Sequence, residues 1–441
     1  MNFRGPGSLP MQASRPSALF LNRVYPPADG ATGQLLAELA PALVRAGWEI
    51  TVVTSRPDGG PRPGAGASRT EHQEGVRIER VSGPSFTRSS HLRRALCYLA
   101  LYPAFCWRVL RLPRVDWIVL MTDPPLLLVM GPLLAWCKGA RLVHWAQDLY
   151  PELAEETGVL KRNGLVARSL RAASTWAMRR CTVVIAVGRC MQHRLTQRRL
   201  DPARLQHMAN WAPQPVAWPS PQEREAFRKA NGLIDRFVVM YSGNFGLAHS
   251  FDAILDAAQA LGRSEPQITF LLAGHGPRRD WVEQEARRRK LANILFLPFQ
   301  AKANLYTCLG AADLHLATMR TELCGLVVPS KVYGILAAGC PCVFLGPRAS
   351  EAAQLIESCH CGSVLENASG AELARCVAGW ARDASRLGLA AERCRELRGD
   401  LLVGPVVEEF QHLLTGHGHG RGRAQTPLDR EPRSHQRALH Y

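Results

Sequence analysis

Residues 237–246 read FVVMYSGNFG, an apolar run that breaks on Ser242 and Gly243, and from Phe251 to Leu261 apolar side chains recur at helical spacing. Strand, glycine turn and helix in that order form the unit of a parallel α/β sheet, because a parallel neighbour is reached only through a crossover. Glycine lets backbone approach a ligand, and free N–H groups at a helix start, marked here by Ser250 as cap, attract anions. Gly243 and Asn244 are therefore candidates for holding a phosphate, with a ligand-free strand-to-helix turn as the alternative.

The unit repeats on both sides. Downstream, strands are expected at Ile268 to Ala273, Ile294 to Leu297, Leu314 to Ala317 and Cys342 to Leu345, separated by helices at Trp281 to Leu291, from Leu305, and at Lys331 to Ala338. Upstream, a strand from Ala18 to Val24 leads through a turn at Pro26 to Gly30 into a helix bearing Leu35, Leu36, Leu39, Leu43 and Val44, closed by Gly47. Further strands are expected at Trp48 to Thr54, Trp117 to Met121, Arg141 to Trp145 and Thr182 to Val187. A chain of 441 residues is too long for one hydrophobic core. The expected fold is α/β, with two Rossmann-like, doubly wound parallel-sheet domains facing an interdomain cleft, where such sheets bind ligands. The first domain is expected at 17–210 and the second at 236–400, joined by a proline-rich extended linker at 211–235 and followed by a helix at 401–415. The polar ends, 1–16 and 416–441, are expected to be disordered, with Met11 as an alternative start.

Lys and Arg outnumber Asp and Glu by 54 to 37, a net charge of +17 that favours an anionic partner. The 13 cysteines include no CxxC pair and no signal peptide opens the chain, so a reducing cytoplasm is expected. The longest apolar stretches, Leu126 to Cys137 and Ala95 to Trp107, are broken by proline and fall short of the roughly 20 residues of a spanning helix.

A second anion device lies at 322–331, ELCGLVVPSK. Pro329 suits a first helical turn, Ser330 offers a hydroxyl, and Lys331 sets a cation beside a helix start, so a diphosphate held there would need no metal. Glu322 is placed to accept hydrogen bonds from sugar hydroxyls, or is an ordinary surface acid. The spacings Cys340-Pro-Cys342 and Cys359-His-Cys361 are weaker than paired CxxC knuckles, and Gly274-His-Gly276 lacks the third glycine of a dinucleotide fingerprint. No metal and no cofactor is expected.

YSGNFGLAHSFDAILDAA, FLLAGHGP, ILFLPF, AADLHLA, ELCGLVVPSK and GILAAGCPCVF, together with LNRVYPPADGATGQLLAELAPALVRAGWEITVVT and LVHWAQDLYPELAEETG, resemble the family-4 retaining glycosyltransferases of the GT-B fold. The pattern is nearest to bacterial enzymes that build exopolysaccharide, O-antigen and colanic acid units. The resemblance covers most of the chain apart from its ends. It implies a nucleotide diphosphate sugar, UDP- or GDP-linked, as donor and a polyprenyl-linked or other glycan as acceptor. It also implies a front-face displacement needing no protein nucleophile, and the chain has no Asp-x-Asp pair. Asp148 and Glu322 are then the catalytic candidates, Asp148 facing the reacting sugar and Glu322 as first acid of the family's Glu-x7-Glu motif. Gly30, Gly243, Asn244, Gly274, Ser330 and Lys331 are the donor-binding candidates. Three positions depart from the pattern. Ser330 or Gly334, according to register, stands where the second acid belongs. Ala31 replaces the second glycine of the first-domain pair. His249 or Ser250 replaces a lysine.

The surplus charge concentrates in the first domain. His91 to Arg114 mixes five arginines with Leu, Tyr, Phe and Trp and has no acid, and Lys161 to Arg204 adds eleven basic residues against Asp201 alone. Such segments suit anionic headgroups, so a peripheral position at the cytoplasmic membrane face is expected, with solvated helices as the plainer alternative. No nucleic-acid signature accompanies the charge. Two rival functions remain: a nucleotide-sugar epimerase of the same architecture, and a non-catalytic nucleotide-sugar-binding homologue motivated by the missing acid.

Overall fold

The computed structural model describes residues 15–28, 30–57, 70–82, 91–213, 218–246 and 251–416, with only the backbone at 91–95 and 302. Asp29, His249, Ser250 and both expected disordered ends up to 14 and from 417 lie outside the described residues.

The first domain builds one sheet from β1 (Ser17–Leu21), β2 (Glu49–Ser55), β3 (Thr70–Gln73), β4 (Val76–Val81), β5 (Trp117–Leu120), β6 (Arg141–Ala146), β7 (Val183–Ala186) and β8 (Leu205–His207). Its order is β3-β4-β2-β1-β5-β6-β7-β8, parallel except for the β3–β4 hairpin. Helices α1 (Ala31–Arg45), α2 (His91–Arg111), α3 (Gly131–Lys138), α4 (Glu152–Glu156), α5 (Leu165–Met178) and α6 (Arg189–Thr196) run between these strands. Leu35, Leu36, Leu39 and Leu43 of α1 are buried as their spacing predicts, and Gly47 closes that segment at φ +95°.

After α7 (Pro221–Ala230), the second sheet follows: β9 (Phe237–Ser242), α8 (Asp252–Ser264), β10 (Ile268–Ala273), α9 (Arg279–Arg288), β11 (Ile294–Leu297), α10 (Leu305–Gly310), β12 (Leu314–Thr318), α11 (Lys331–Ala337), β13 (Cys342–Leu345), α12 (Glu351–Ser358) and β14 (Gly362–Leu365). Its order β11-β10-β9-β12-β13-β14 is all parallel and reverses direction between β9 and β12. The first sheet reverses likewise between β1 and β5. Ligands of open α/β sheets lie at these reversals, beyond the carboxyl ends of the strands. The architecture is the GT-B arrangement of two α/β domains. Helices α13 (Gly370–Arg382), α14 (Ala384–Glu396) and α15 (Val403–Thr415) complete the chain.

Two expectations about 211–235 are corrected. Trp211 is a core residue, stacked on Trp145 at 5.9 Å with its Nε1 donating to Glu38 at 2.8 Å. The stretch also folds in part, because Ser220 and Glu223 form a reciprocal capping box that starts α7. Arg224 and Arg228 then tie α7 to Asp313 at 2.7 and 2.6 Å. The last helix, α15, returns to the first domain, where Phe410 stacks on Phe20 at 5.8 Å. No helix of the described residues is long and apolar enough to cross a membrane.

Candidate active site

The loops after β9 and β10 pack directly on each other. Gly274 and Gly276 have φ +137° and +146°, and an ideal Cβ on Gly274 would lie 1.9 Å from the Gly243 carbonyl oxygen. On Gly276 it would meet Asn244 Oδ1 at 2.4 Å. Gly243 N–H donates to the Ala273 carbonyl at 3.0 Å and Phe245 N–H to that of His275 at 2.8 Å. Those two amides extend the β9–β10 pairing, while the expected helix-start cap, Ser250, lies outside the described residues. Gly274 thus shapes the floor on which Gly243 and Asn244 sit.

The charge comes from the side. Lys331 Nζ lies 3.4 Å from the ideal Cβ position of Gly243, donates to Tyr241 Oη at 2.7 Å and stands 4.0 Å from that ring's centroid. Tyr241 Oη in turn donates to the Asn244 carbonyl at 2.8 Å, and its ring packs against Phe245 and Phe251 at 5.3 and 5.0 Å. Burial in this apolar nest pushes the Lys331 ammonium down to about 7. The structure therefore brings Lys331, Gly243 and Asn244 together. Helix α11 begins at Lys331, so Pro329 precedes the cap instead of opening the helix, and the Ser330 hydroxyl makes no capping bond. Gly334 is buried, with Pro213 Cδ 3.4 Å from its ideal Cβ.

Glu322 lies on a 3-10 turn, Thr321–Leu323, after β12 and is exposed, 3.5 Å from Arg320 Nε. It lines a crevice of about 800 Å³ with Arg278, Gly346 and Asn367 of the second domain and Thr157 of the first. Asp148 follows β6 on the opposite domain and is half-buried. Burial first, then the neighbouring Asp123 charge, push its carboxyl up to about 7. Asp123 is itself gripped by Arg23 through bonds of 2.7 and 2.8 Å. Leu149 N–H donates to the Leu326 carbonyl at 2.8 Å, so the segments bearing Asp148 and Glu322 are joined across the cleft. Gly30 caps α1 in extended backbone, and an ideal Cβ there would meet only the Val24 side chain, at 2.9 Å.

Two residues escaped the sequence reading. Gly33, one turn into α1, is the closer approach, since an ideal Cβ would lie 2.8 Å from the Val24 carbonyl oxygen. The spacing from Gly30, with Ala31 between, carried that signal. Glu351 is buried at the start of α12, accepts from Arg189 N–H at 2.6 Å and lies 3.4 Å from His207 Nε2. Both partners belong to the first domain, 162 residues away for Arg189.

Two parallel-sheet domains facing each other in this way have the GT-B architecture, with a lysine and glycine loops at the second switch point. Residues 30–211 match the glycosyl transferase 4-like domain and residues 223–395 match glycosyl transferases group 1, and the chain belongs to this family-4-like group. It is similar to the probable glycosyltransferase WbjE of Pseudomonas aeruginosa, 27% identical over 282 residues, 63% of this chain and 70% of that protein. WcaI of Escherichia coli (strain K12), whose name assigns it to colanic acid biosynthesis glycosyl transfer, is 29% identical over 233 residues, 51% of this chain and 56% of that protein. Among solved structures, Anabaena HepE in complex with UDP and glucose superposes with a TM-score of 0.69 at 18% identity, covering 91% of this chain and 99% of that one. WaaG, a glycosyltransferase involved in lipopolysaccharide biosynthesis, gives a TM-score of 0.64 at 17% identity, covering 90% and 100%.

Proposed function

We propose that this glycosyltransferase moves a hexose or N-acetylhexosamine from a UDP- or GDP-sugar to a glycan carried on a polyprenyl diphosphate, in assembly of a bacterial cell-surface polysaccharide. Transfer retains the anomeric configuration and uses no metal. The observation that carries the reading is the Lys331 ammonium beside Gly243, at the reversal of the second sheet. The names of WbjE and WcaI and the HepE complexes with UDP and with UDP-glucose support it.

In this reading the bond from the anomeric carbon to the diphosphate breaks as the acceptor oxygen closes on the same face, and the acceptor proton passes to a diphosphate oxygen. The protein contributes position and charge stabilisation. Lys331 balances the departing diphosphate over the floor made by Gly243, Asn244 and Gly274, and Ser330 stands in for the ribose-holding acid. Gly30 lets the first domain approach the phosphates, Asp148 orients the reacting sugar, and Glu322 grips its hydroxyls. The test is incubation with UDP- and GDP-sugars and a polyprenyl-linked acceptor, the product anomer being read by NMR. Retained configuration is expected. An inverted product, or acceptor-free conversion of the donor to its epimer, contradicts the reading.

We infer further that the enzyme works peripherally on the inner face of the cytoplasmic membrane, through the basic first domain. Helices α2, α3 and α5 contain no acid. Trp136 is 80% exposed, and Trp107 and Trp176 project with Arg111 and Arg180 over their rings at 4.1 and 4.2 Å. Aromatic groups beside arginines suit an anionic headgroup layer. Co-sedimentation with vesicles containing phosphatidylglycerol, and not with purely zwitterionic ones, is expected; equal binding or none contradicts it.

A further inference from the structure

The face between the two domains brings together two thiols for which the sugar chemistry has no use. Cys190 is the second residue of α6 in the first domain, and Cys324 directly follows the turn that carries Glu322 in the second. The two backbones are pressed close. Gly325 has φ +72°, and an ideal Cβ there would lie 2.6 Å from the Cys190 carbonyl oxygen. One on Gly188, the residue capping α6, would lie 2.8 Å from Val328 Cγ2 and 3.5 Å from Cys190 Sγ.

The Cys324 thiol and the backbone amides of Gly325 and Glu351 lie close enough to Cys190 to favour its thiolate. They hold the Cys190 thiol below its ordinary value against its own burial and the nearby Glu351 charge, while Cys324, as the donor, is held up. Another close pair, Cys361 and Cys394, is buried in the core, and Cys394 is pushed well up. A half-buried thiolate next to a protonated resolving thiol is the arrangement that reacts with peroxides and then closes.

We propose that Cys190 and Cys324 form a reversible, oxidant-sensitive disulfide that ties the first domain to the segment bearing Glu322. A hydroperoxide is the oxidant. The Cys190 thiolate attacks it, the O–O bond breaks, and a sulfenic acid forms on Cys190 as hydroxide or alkoxide leaves. The Cys324 sulfur then attacks the sulfenic sulfur. The S–O bond breaks, the S–S bond forms, and the departing hydroxide takes the Cys324 proton as water. Two thiols have been oxidised and one peroxide reduced, and a dithiol restores both thiols by exchange, itself becoming a disulfide. Since Cys324 lies two residues from Glu322, closure also restricts opening of the cleft; that consequence alone rests on the proposed donor site.

The test oxidises the full chain with hydrogen peroxide, alkylates the remaining thiols and maps peptides by mass spectrometry. A Cys190–Cys324 linked peptide is expected to rise from none to most of the chain, at a dose that leaves Cys361 and Cys394 alkylated, and to vanish with dithiothreitol. Cys324→Ser should leave Cys190 as a sulfenic acid that dimedone labels, which keeps the test open if Cys190→Ser fails to fold. Cys190 recovered alkylated after oxidation, or linked to a different cysteine, overturns the proposal. Peptide mapping needs no donor, so failure of UDP to bind would leave the link standing while removing the glycosyl-transfer reading.

Discussion

The ammonium of Lys331 stands over the ring of Tyr241, 4.0 Å from its centroid, and donates to the same residue's hydroxyl at 2.7 Å. If a diphosphate binds beside this lysine as proposed, its negative charge favours the protonated ammonium that burial disfavours. Burial has lowered this lysine to about 7, so the protonated form is complete below that pH and declines above it. UDP affinity should therefore be greatest below pH 7 and weaken by up to about tenfold per unit above it, until the pKa of the complex is reached. Calorimetric titrations of wild type and Lys331→Met across pH 6 to 9 check this, since ionisation of UDP itself is common to both. Equal slopes in the two proteins contradict it.

The glycines divide by what surrounds them. Gly274→Ala forces a left-handed residue and a Cβ onto the Gly243 carbonyl, and should cost about 2 kcal/mol or more while abolishing UDP binding. Gly30→Ala meets only a valine methyl in extended backbone and should cost less than about 1 kcal/mol. Gly33→Ala, against the Val24 carbonyl, should be the more damaging of the two first-domain changes. Urea unfolding ranks all three.

Asp148 has a folded-state carboxyl raised to about 7, so its neutral form is favoured by folding and the stability this gives is lost as pH rises from the ordinary carboxylate range through 7. Asp148→Asn keeps a neutral amide at every pH. The variant should exceed wild type by on the order of 1 to 2 kcal/mol at pH 8, after allowance for its partial exposure, and match it at pH 4. Thermal unfolding at the two pH values decides the matter, and an unchanged difference between them contradicts the assignment.

Glu351 bridges the domains from inside the interface. Glu351→Ala leaves the Arg189 N–H at the start of α6 without its carboxylate and removes the partner of His207, at a cost of about 1 to 3 kcal/mol. Glu351→Gln keeps an acceptor for that N–H and should lose less. Urea unfolding that shows no difference between the two variants contradicts a capping role.

Most of the fold was legible because buried parallel strands are short apolar runs bounded by turn residues. Ile268–Ala273, Ile294–Leu297 and Cys342–Leu345 fall where their side chains predict. The hairpin from Thr70 to Val81 was missed. TEHQ carries no apolar run, and β4 interrupts its apolar residues with Arg77 and with Glu79, which is buried and paired with Arg77 and with Arg108 of α2. In the site, Lys331 and Gly243 were readable from local motifs. What was not readable depends on partners far along the chain: Trp211 reaching Glu38, Glu351 reaching Arg189, and Leu149 reaching Leu326. Local pattern says which residues carry charge or bend backbone, and only packing says which of them meet.

The central claim, that Lys331 and the glycine floor hold the diphosphate of a nucleotide sugar, is tested most directly by calorimetric titration of the full chain with UDP and GDP beside Lys331→Ala. One nucleotide should bind wild type at least tenfold more tightly than the variant, while both proteins unfold at similar temperature in the absence of nucleotide. Wild type and variant binding with equal affinity, or neither nucleotide binding a folded wild type, would contradict the account.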